Sequence, residues 1–274
     1  MDEQRIRKAV RERYAEHATQ GSSCCPPSSC GCGPVPETIS RELGYSDEQL
    51  ASVPEGADLG LGCGNPTALV ELSEGEVVLD LGSGAGIDCF LAAKRVGDSG
   101  RVIGVDMTPE MLERARANAR EGGFDNVEFR LGEIEHLPVA DSSVDAVISN
   151  CVINLSPDKP QVFREAFRVL RPGGRMTVSD IVLDGPLPKP VLDSLDAYSS
   201  CISGAALRSE YLAAIEAAGF EQVEVVAERQ FDVTQDLFAL DLLREAVKAG
   251  VTPDEARNAA ASVRSITVRA FKPR

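Results

Sequence analysis

The sequence predicts an α/β protein: a doubly wound, mostly parallel sheet finishing on a reversed edge strand, preceded by N-terminal helices and a Cys-rich loop. Two observations carry that reading. From residue 76 onward, short apolar runs alternate with helical patterns, and strands separated by helices form right-handed βαβ units around a parallel sheet. After the first of these strands the chain reads Asp80-Leu-Gly82-Ser-Gly84-Ala-Gly86. A glycine-rich turn between strand and helix is where a backbone comes close to a ligand.

Taken in order, residues 2–18 place Ile6, Ala9, Val10, Arg13 and Tyr14 near the helical period and predict an amphipathic helix. Residues 19–36, rich in Gly, Ser, Pro and Cys, exclude regular structure and read as a loop. A short helix is expected at 37–43, before Gly44, and Ser46 with Gln49 forms a capping-box start for another. PEGADLGLGCGNP (54–66) is a second glycine-rich loop, carrying Cys63. Strands are then expected at 76–82, 101–106, 127–130, 144–149 and 174–182, with helices at 87–96, 109–121 and 158–170. The last third reads as helices near 189–200, 208–218 and 236–249 and two strands near 221–230 and 263–271, which supply the reversed edge. The chain divides at this level into an N-terminal helical segment (1–66), a core with the glycine-rich turn (67–184), and C-terminal helices with the closing strands (185–274).

Composition narrows the class. The 274 residues carry 28 basic and 43 acidic side chains, a formal charge of −15. Nucleic-acid binding rests on basic patches that neutralise phosphates, so no nucleic-acid partner is expected. No apolar run of about 18 residues is present, and the first residues, MDEQRIRKAVRERY, are charged throughout. Neither a membrane span nor a signal peptide is read, and the expectation is a soluble, cytoplasmic protein. In a reducing compartment clustered cysteines are ligands or redox groups more often than disulfides. Of eight cysteines, Cys24, Cys25, Cys30 and Cys32 cluster in SCCPPSSCGCGP, while Cys63, Cys89, Cys151 and Cys201 are spread out. No pair of separated Cys-x-x-Cys motifs marks a structural zinc site.

Gly82, Gly84 and Gly86 let the backbone turn beside a bound molecule, and Asp106 ends the next strand, where an acid bonds ribose hydroxyls in dinucleotide folds. The plainer alternative makes Asp80 and Asp106 ordinary loop-capping acids. SNCVINL (149–155) sets Asn150 and Cys151 at the end of the fourth strand, facing the crevice of an open α/β sheet. There Cys151 is either a ligand-facing thiol or an inert small hydrophobe. The two histidines, His17 and His136, read as solvated surface groups, so the chemistry does not call for a base. Thiolates at Cys63, Cys151 and Cys201 select soft centres over magnesium or calcium.

The G-x-G-x-G spacing, with Asp80 two residues before it, resembles class I S-adenosylmethionine-dependent methyltransferases. The resemblance implies a Rossmann-like methyltransferase sheet. It gives Asp80 and Gly82, Gly84 and Gly86 to the methionine moiety, Asp106 to the ribose, and Met107 to the adenine. LGEIEHLP (131–138) is similar to that family's segment beside the base, with Gly132, Glu133 and Ile134 close to it, and Asn150 joins the cofactor side. EAFRVLRPGGRM (165–176) resembles its helix–turn–strand, Gly173 and Gly174 fitting the helix end and turn.

GCGNP, LDLGSGAGIDC, GVDMTPEML, SNCVINLSPDK and CISGAAL together resemble arsenite methyltransferases over roughly residues 54–220. That resemblance implies that Cys63, Cys151 and Cys201 bind trivalent arsenic as the catalytic thiols. It implies stepwise methylation of arsenite and then methylarsenite, disulfide formation, and re-reduction by a thiol co-substrate, thioredoxin or glutathione. It further implies a relay cysteine upstream, Cys32 or Cys30, leaving Cys24 and Cys25 as a metal sink or tail. Cys89 reads as a packing residue. Gly60-Leu61 stands where relatives often carry an aromatic pair. Two other readings stay open: a quinone-type carbon methyltransferase on the same fold, and a non-enzymatic thiol protein sequestering arsenic or another soft metal.

Overall fold

A computed structural model describes residues 2–19, 36–199, 201–231, 243, 246–248 and 250–274. Helix α1 (Glu3–Thr19) is followed by the short helices α2 (Pro36–Glu42) and α3 (Asp47–Ala51). The core then runs β1 (Val77–Leu81), α4 (Ile87–Val96), β2 (Arg101–Asp106), α5 (Pro109–Gly122), β3 (Val127–Leu131), β4 (Val144–Asn150), α6 (Lys159–Val169) and β5 (Leu170–Leu183). After it come α7 (Lys189–Leu192), α8 (Leu195–Ser199), β6 (Ala206–Leu207), α9 (Arg208–Ala217), β7 (Glu221–Gln230), α10 (Pro253–Ala261) and β8 (Val263–Phe271).

The sheet order is β3-β2-β1-β4-β5-β8-β7, with β6 beside β5. Pairs among β1 to β6 are parallel, and β8 runs antiparallel to both β5 and β7. The doubly wound, mostly parallel sheet is therefore as read. Its reversed strand, however, lies one place inside the edge, and the edge is β7. The reason is visible in the side chains. EQVEVVAERQ of β7 is largely exposed or half-buried, whereas β8 buries Val263, Ser265, Ile266, Thr267, Val268 and Ala270. An apolar run that dense is stable only with neighbours on both sides.

Some boundaries moved. β5 starts at Leu170, which pairs with Val144 ahead of the Pro172-Gly173-Gly174 stretch, and the register shifts before Ala146 pairs with Arg175. The expected helix at 189–200 is two short helices with a break at Asp193-Ser194. Helix α10 was not foreseen. Most of the helix expected at 236–249 and nearly all of the 19–36 loop fall outside the described residues.

Three apolar layers follow. One packs Val162, Phe163 and Ala166 of α6 with Tyr211 and Ile215 of α9 on one sheet face. The other face meets Phe90 and Ala93 of α4 and Leu112 of α5. The third caps the carboxyl ends of β4 and β5 with α1, α8 and α10, and contains Cys63, Cys151 and Cys201. A fully buried side chain such as Phe163 contributes about 1.5–3 kcal/mol. This third layer is what roofs the site.

Candidate active site

The glycine turn hangs from β2: the Gly82 and Ser83 N–H groups donate to the Val105 carbonyl, at 2.8 and 3.1 Å. Asp106 faces it across the strand ends, accepting the Gly84 N–H (2.9 Å) and the Thr108 N–H (2.8 Å). Asp58, Asp80, Ser83, Asp106, Met107 and Ile134 are among the residues lining the cleft so formed. Burial pushes the Asp80 carboxyl well above its usual range, and the charge of Asp88 adds to this, against a hydrogen bond received from Cys89 at 3.2 Å. Ser83 Oγ and Asp58 Oδ2 are buried without a hydrogen-bond partner among the described residues. Buried acids at the glycine turn and strand end, with an apolar wall beside them, fit an adenosyl group bearing an amino-acid end.

Behind this cleft stand the thiols. Cys63 lies in a loop pressed between the end of β4 and β5. A Cβ on Gly62 would come within 2.7 Å of the Asn150 amide, and one on Gly64 within 2.8 Å of the Ser179 side chain, so both flanking positions require glycine. Asn150 Oδ1 accepts the N–H groups of Cys63 (3.0 Å) and Gly64 (3.3 Å). Its Nδ2 donates to the Gly64 carbonyl, the Tyr45 hydroxyl and Asp88, at 2.8, 2.9 and 3.1 Å. Ser265 Oγ donates to the Cys63 carbonyl at 2.6 Å.

Cys151 and Cys201 both adopt left-handed backbone, with φ of 59° and 61°. For a side chain other than glycine this costs roughly 1–2 kcal/mol, and such strain collects at functional sites. The conformations are locked: Cys151 N–H donates to the Ser179 carbonyl (2.8 Å) and Cys201 N–H to that of Tyr198 (3.0 Å). Cys63 Sγ, Cys151 Sγ and an Asp180 carboxylate oxygen lie within 4.8 Å of one another. The Cys201 thiol donates to the Cys151 carbonyl at 3.2 Å, and the Tyr14 hydroxyl of α1 stands 4.0 Å from it. The three thiols are 4–6% exposed, and of them Cys151 lines the cleft.

Burial sets the charge state. It pushes the Cys63 thiol up to about 11. At Cys151 a hydrogen bond from Cys201 favours the thiolate, but the bond it gives Cys63 and its own burial outweigh this, and it too is raised. Cys201 is raised by its hydrogen bond to Cys151 and then by burial. Asp180, desolvated beneath the thiols, is pushed up to about 7, and burial lowers Lys159. The thiols are thus protonated at neutral pH.

Gly82, Gly84, Asp80, Asp106, Met107, Ile134, Asn150 and Cys151 all line the cleft. Gly86 instead caps α4. Glu133 pairs with Arg7 of α1 at 3.5 Å, while Gly132, Ile134 and Glu135 form the wall beside it. Asn150 gives its amide oxygen and one donor bond to the Cys63 loop and its other donor bonds to Tyr45 and Asp88. Cys89 sits under Asp80, fully buried. Cys32, like Cys24, Cys25 and Cys30, lies outside the described residues. Sequence reasoning missed Arg7, Tyr14, Tyr45, Asp88, Lys159 and Asp180. For Asp180 a signal existed, an acid inside the apolar run TVSDIVL.

A family model described as a methyltransferase domain matches residues 72–219. An arsenite methyltransferase of Halobacterium salinarum is 52% identical over 232 residues, covering 82% of this chain and 59% of that protein. The arsenite methyltransferase of Homo sapiens is 37% identical over 196 residues, covering 68% of this chain and 50% of that protein. The chain thus spans only 59% and 50% of the length of these two relatives. Among solved structures, CrArsM, an arsenic(III) S-adenosylmethionine methyltransferase from Chlamydomonas reinhardtii, is similar with a TM-score of 0.63 and 36% identity, covering 88% of this chain and 75% of that one.

The left-handed cysteines make a stability test. At φ 61° glycine is unstrained and alanine is not, so Cys201→Gly should be more stable than Cys201→Ala by roughly 1 kcal/mol in urea unfolding. An alanine variant as stable as the glycine one contradicts the strain.

A second test uses pH. Folding raises Asp88 from 3.8 to about 6 and Asp180 from 3.8 to about 7. The stability these groups contribute is fully present below 3.8 and is lost as pH rises through 6 and 7. Lowering pH from 8 to 6 should therefore raise the unfolding free energy by on the order of 1 kcal/mol. Below about pH 4.5 the trend should reverse as carboxylates such as Glu165, held down by its hydrogen bond from Arg168, become protonated. A urea midpoint that falls between pH 8 and 6 contradicts it.

Proposed function

The chain belongs to the arsenite methyltransferase family, and on that premise we propose that it transfers the methyl group of S-adenosylmethionine to trivalent arsenic held by Cys63, Cys151 and Cys201. The observation that carries this reading is the meeting of buried thiols from distant parts of the chain behind a cleft whose wall includes Cys151: the Cys63 and Cys151 Sγ atoms lie within 4.8 Å of each other, and the Cys201 thiol bonds the Cys151 carbonyl. A quinone-type carbon methyltransferase has no use for that cluster. A sequestering protein has no use for the cleft.

The residues divide the work. Asp80 and Asp58 receive the cationic end of the cofactor, Asp106 its ribose hydroxyls, and Met107 and Ile134 its base. When bound, the cofactor supplies an electrophilic methyl on a sulfonium. Arsenous acid loads by exchange: each protonated thiol gives its proton to an arsenic hydroxyl, which leaves as water while an S–As bond forms. The three exchanges release three waters and no net proton, which suits thiols kept neutral by burial. Arsenic on three sulfurs keeps a lone pair, and that pair forms the As–C bond. No base is needed, because the nucleophile carries no proton, and orientation supplies most of the rate. Arg7, Val10 and Tyr14 of α1 wall the cleft from water. Transfer leaves arsenic oxidised by two electrons; two of the arsenic-bound sulfurs return them, their S–As bonds breaking as an S–S bond closes, while water takes the vacated position with loss of a proton, and an external thiol reopens the disulfide by exchange.

In this reading thioredoxin or glutathione is the co-substrate, and Cys32 or Cys30 relays the exchange. The cytoplasm, where thiols stay reduced, suits the free state of Cys63, Cys89, Cys151 and Cys201. Among the described residues no helix is long and apolar enough to cross a membrane. Residues 1–66 act as cover and relay, 67–184 as the cofactor-binding core, and 185–274 as substrate cover and closing strands.

The test is incubation with arsenite, S-adenosylmethionine and a dithiol, followed by separation of arsenic species; methylated arsenicals are expected, and arsenite alone refutes the reading. Cys151→Ser and Cys201→Ser should abolish arsenite binding with cofactor affinity kept. Asp106→Ala should weaken cofactor binding at least about tenfold, since a hydrogen bond to a charged acceptor contributes on the order of 1.5–3 kcal/mol. Unchanged calorimetric affinity in that variant removes the ribose assignment.

The relay has its own test. With Cys24, Cys25, Cys30 and Cys32 all changed to serine, single-turnover methylation should survive and thioredoxin-driven multiple turnover should fall sharply. An unchanged ratio of the two rates excludes the relay.

A further inference from the structure

The methylation reading leaves one donor of the thiol cluster unused. Asp180 is 1% exposed, and a carboxylate oxygen of it lies within 4.8 Å of both Cys63 Sγ and Cys151 Sγ. Cys201 is outside this group of three: its thiol bonds Cys151, at the thiol and at the carbonyl, and stands 4.0 Å from the Tyr14 hydroxyl. Trivalent arsenic, pyramidal and thiophilic, takes sulfur and leaves a carboxylate alone. A tetrahedral d10 cation such as Zn²⁺ takes both, thiolates at about 2.3 Å and carboxylates at about 2.0–2.2 Å.

We propose that Cys63, Cys151 and Asp180 form a tetrahedral site for a divalent cation of zinc's class, completed by water, and that this site and the three-thiol arsenic site exclude one another. Bond lengths of that kind put the donors of one ion roughly 3.3–3.8 Å apart, so donors already within 4.8 Å of one another need close by no more than about 1.5 Å. Two further observations support it. The carboxylate is aimed by the N–H groups of Ile181 (2.9 Å) and Asn154 (3.2 Å) and by the Tyr211 hydroxyl (3.2 Å). Hydrogen-bonded carboxylates of this sort are typical metal ligands. Two thiolates and a carboxylate around a divalent ion leave one negative charge. Lys159, buried and interacting electrostatically with Asp180, offsets that excess while its own hydrogen bonds go to the carbonyls of Asn154 and Ser156, at 3.4 and 3.1 Å.

The step balances without redox chemistry. Two S–H bonds break and their protons go to buffer, together with the carboxyl proton where Asp180 carries one; two M–S bonds and one M–O bond form as the hydrated ion sheds all its waters but one, and the metal keeps its charge. Because the ion takes Cys63 and Cys151, it competes with arsenite; this consequence alone rests on the arsenic reading.

The probe is Zn²⁺, titrated against a chromophoric chelator. The protein is the full chain with Cys24, Cys25, Cys30 and Cys32 changed to serine, which removes the other cysteine cluster. One site is expected. Cys63→Ser, Cys151→Ser and Asp180→Asn should each weaken it at least about tenfold, and Cys201→Ser less than about threefold. Arsenite titrations of the same Cys201→Ser protein should show lost binding. Zinc retained with arsenite lost supports both sites, whereas zinc retained with arsenite still bound removes the three-thiol arsenic site and leaves this one. Should Asp180→Asn not fold, zinc-edge absorption of the parent decides, with two sulfurs and two lighter ligands expected. A three-sulfur shell, undiminished affinity in Asp180→Asn, or no one-site binding overturns the proposal.

Discussion

The amide of Asn150 is the interaction on which the site depends. One side chain accepts from the backbone of Cys63 and Gly64 and donates to Gly64, Tyr45 and Asp88. It thereby fastens the Cys63 loop to the end of β4, one residue before Cys151. Asp88 belongs to the first turn of α4, directly after the glycine turn, so the same amide joins the cofactor side to the thiol side. The Tyr45 hydroxyl completes the link by donating to Asp88 at 2.8 Å. An unpaired buried amide is costly, and in this arrangement every polar atom of Asn150 has a partner. The spacing of two thiols thus follows from one residue.

The second constraint is desolvation. The apolar cap that α1, α8 and α10 place over the strand ends keeps all three thiols neutral and raises Asp180. Ordinary reactive cysteines gain nucleophilicity by lowering their pKa. Here the reverse suits the proposed loading, in which neutral thiols exchange with a neutral hydroxide of arsenic. Left-handed Cys151 and Cys201 are the local strain this arrangement tolerates, held by backbone hydrogen bonds to Ser179 and Tyr198.

Much of this was legible in the chain. The glycine turn, Asp80 and Asp106 follow from a motif whose strand–turn–helix context is local, and the Ser46–Gln49 capping box forms as read. What escaped was mostly long-range. Which of two late strands is the edge depends on pairing partners far away in sequence, although the Glu-rich alternation of β7 already favoured it. Helix α10 begins with Thr252-Pro-Asp-Glu255, a capping box with proline at the first turn. It escaped because an alanine-rich helix has a weak apolar stripe. Glu133 and its neighbours were placed by motif, but Arg7, nearly the whole core away in sequence, draws its carboxylate. Asp180 looked like one acid in a buried strand, and only the fold brings the thiols to it.

The account stands on trivalent arsenic being held by Cys63, Cys151 and Cys201 together. Arsenic-edge X-ray absorption tests this most directly, on arsenite-loaded protein in which Cys24, Cys25, Cys30 and Cys32 are serine. The account predicts a first shell of three sulfurs with no oxygen. A shell retaining oxygen, or one that keeps three sulfurs when Cys151 is also changed to serine, contradicts it.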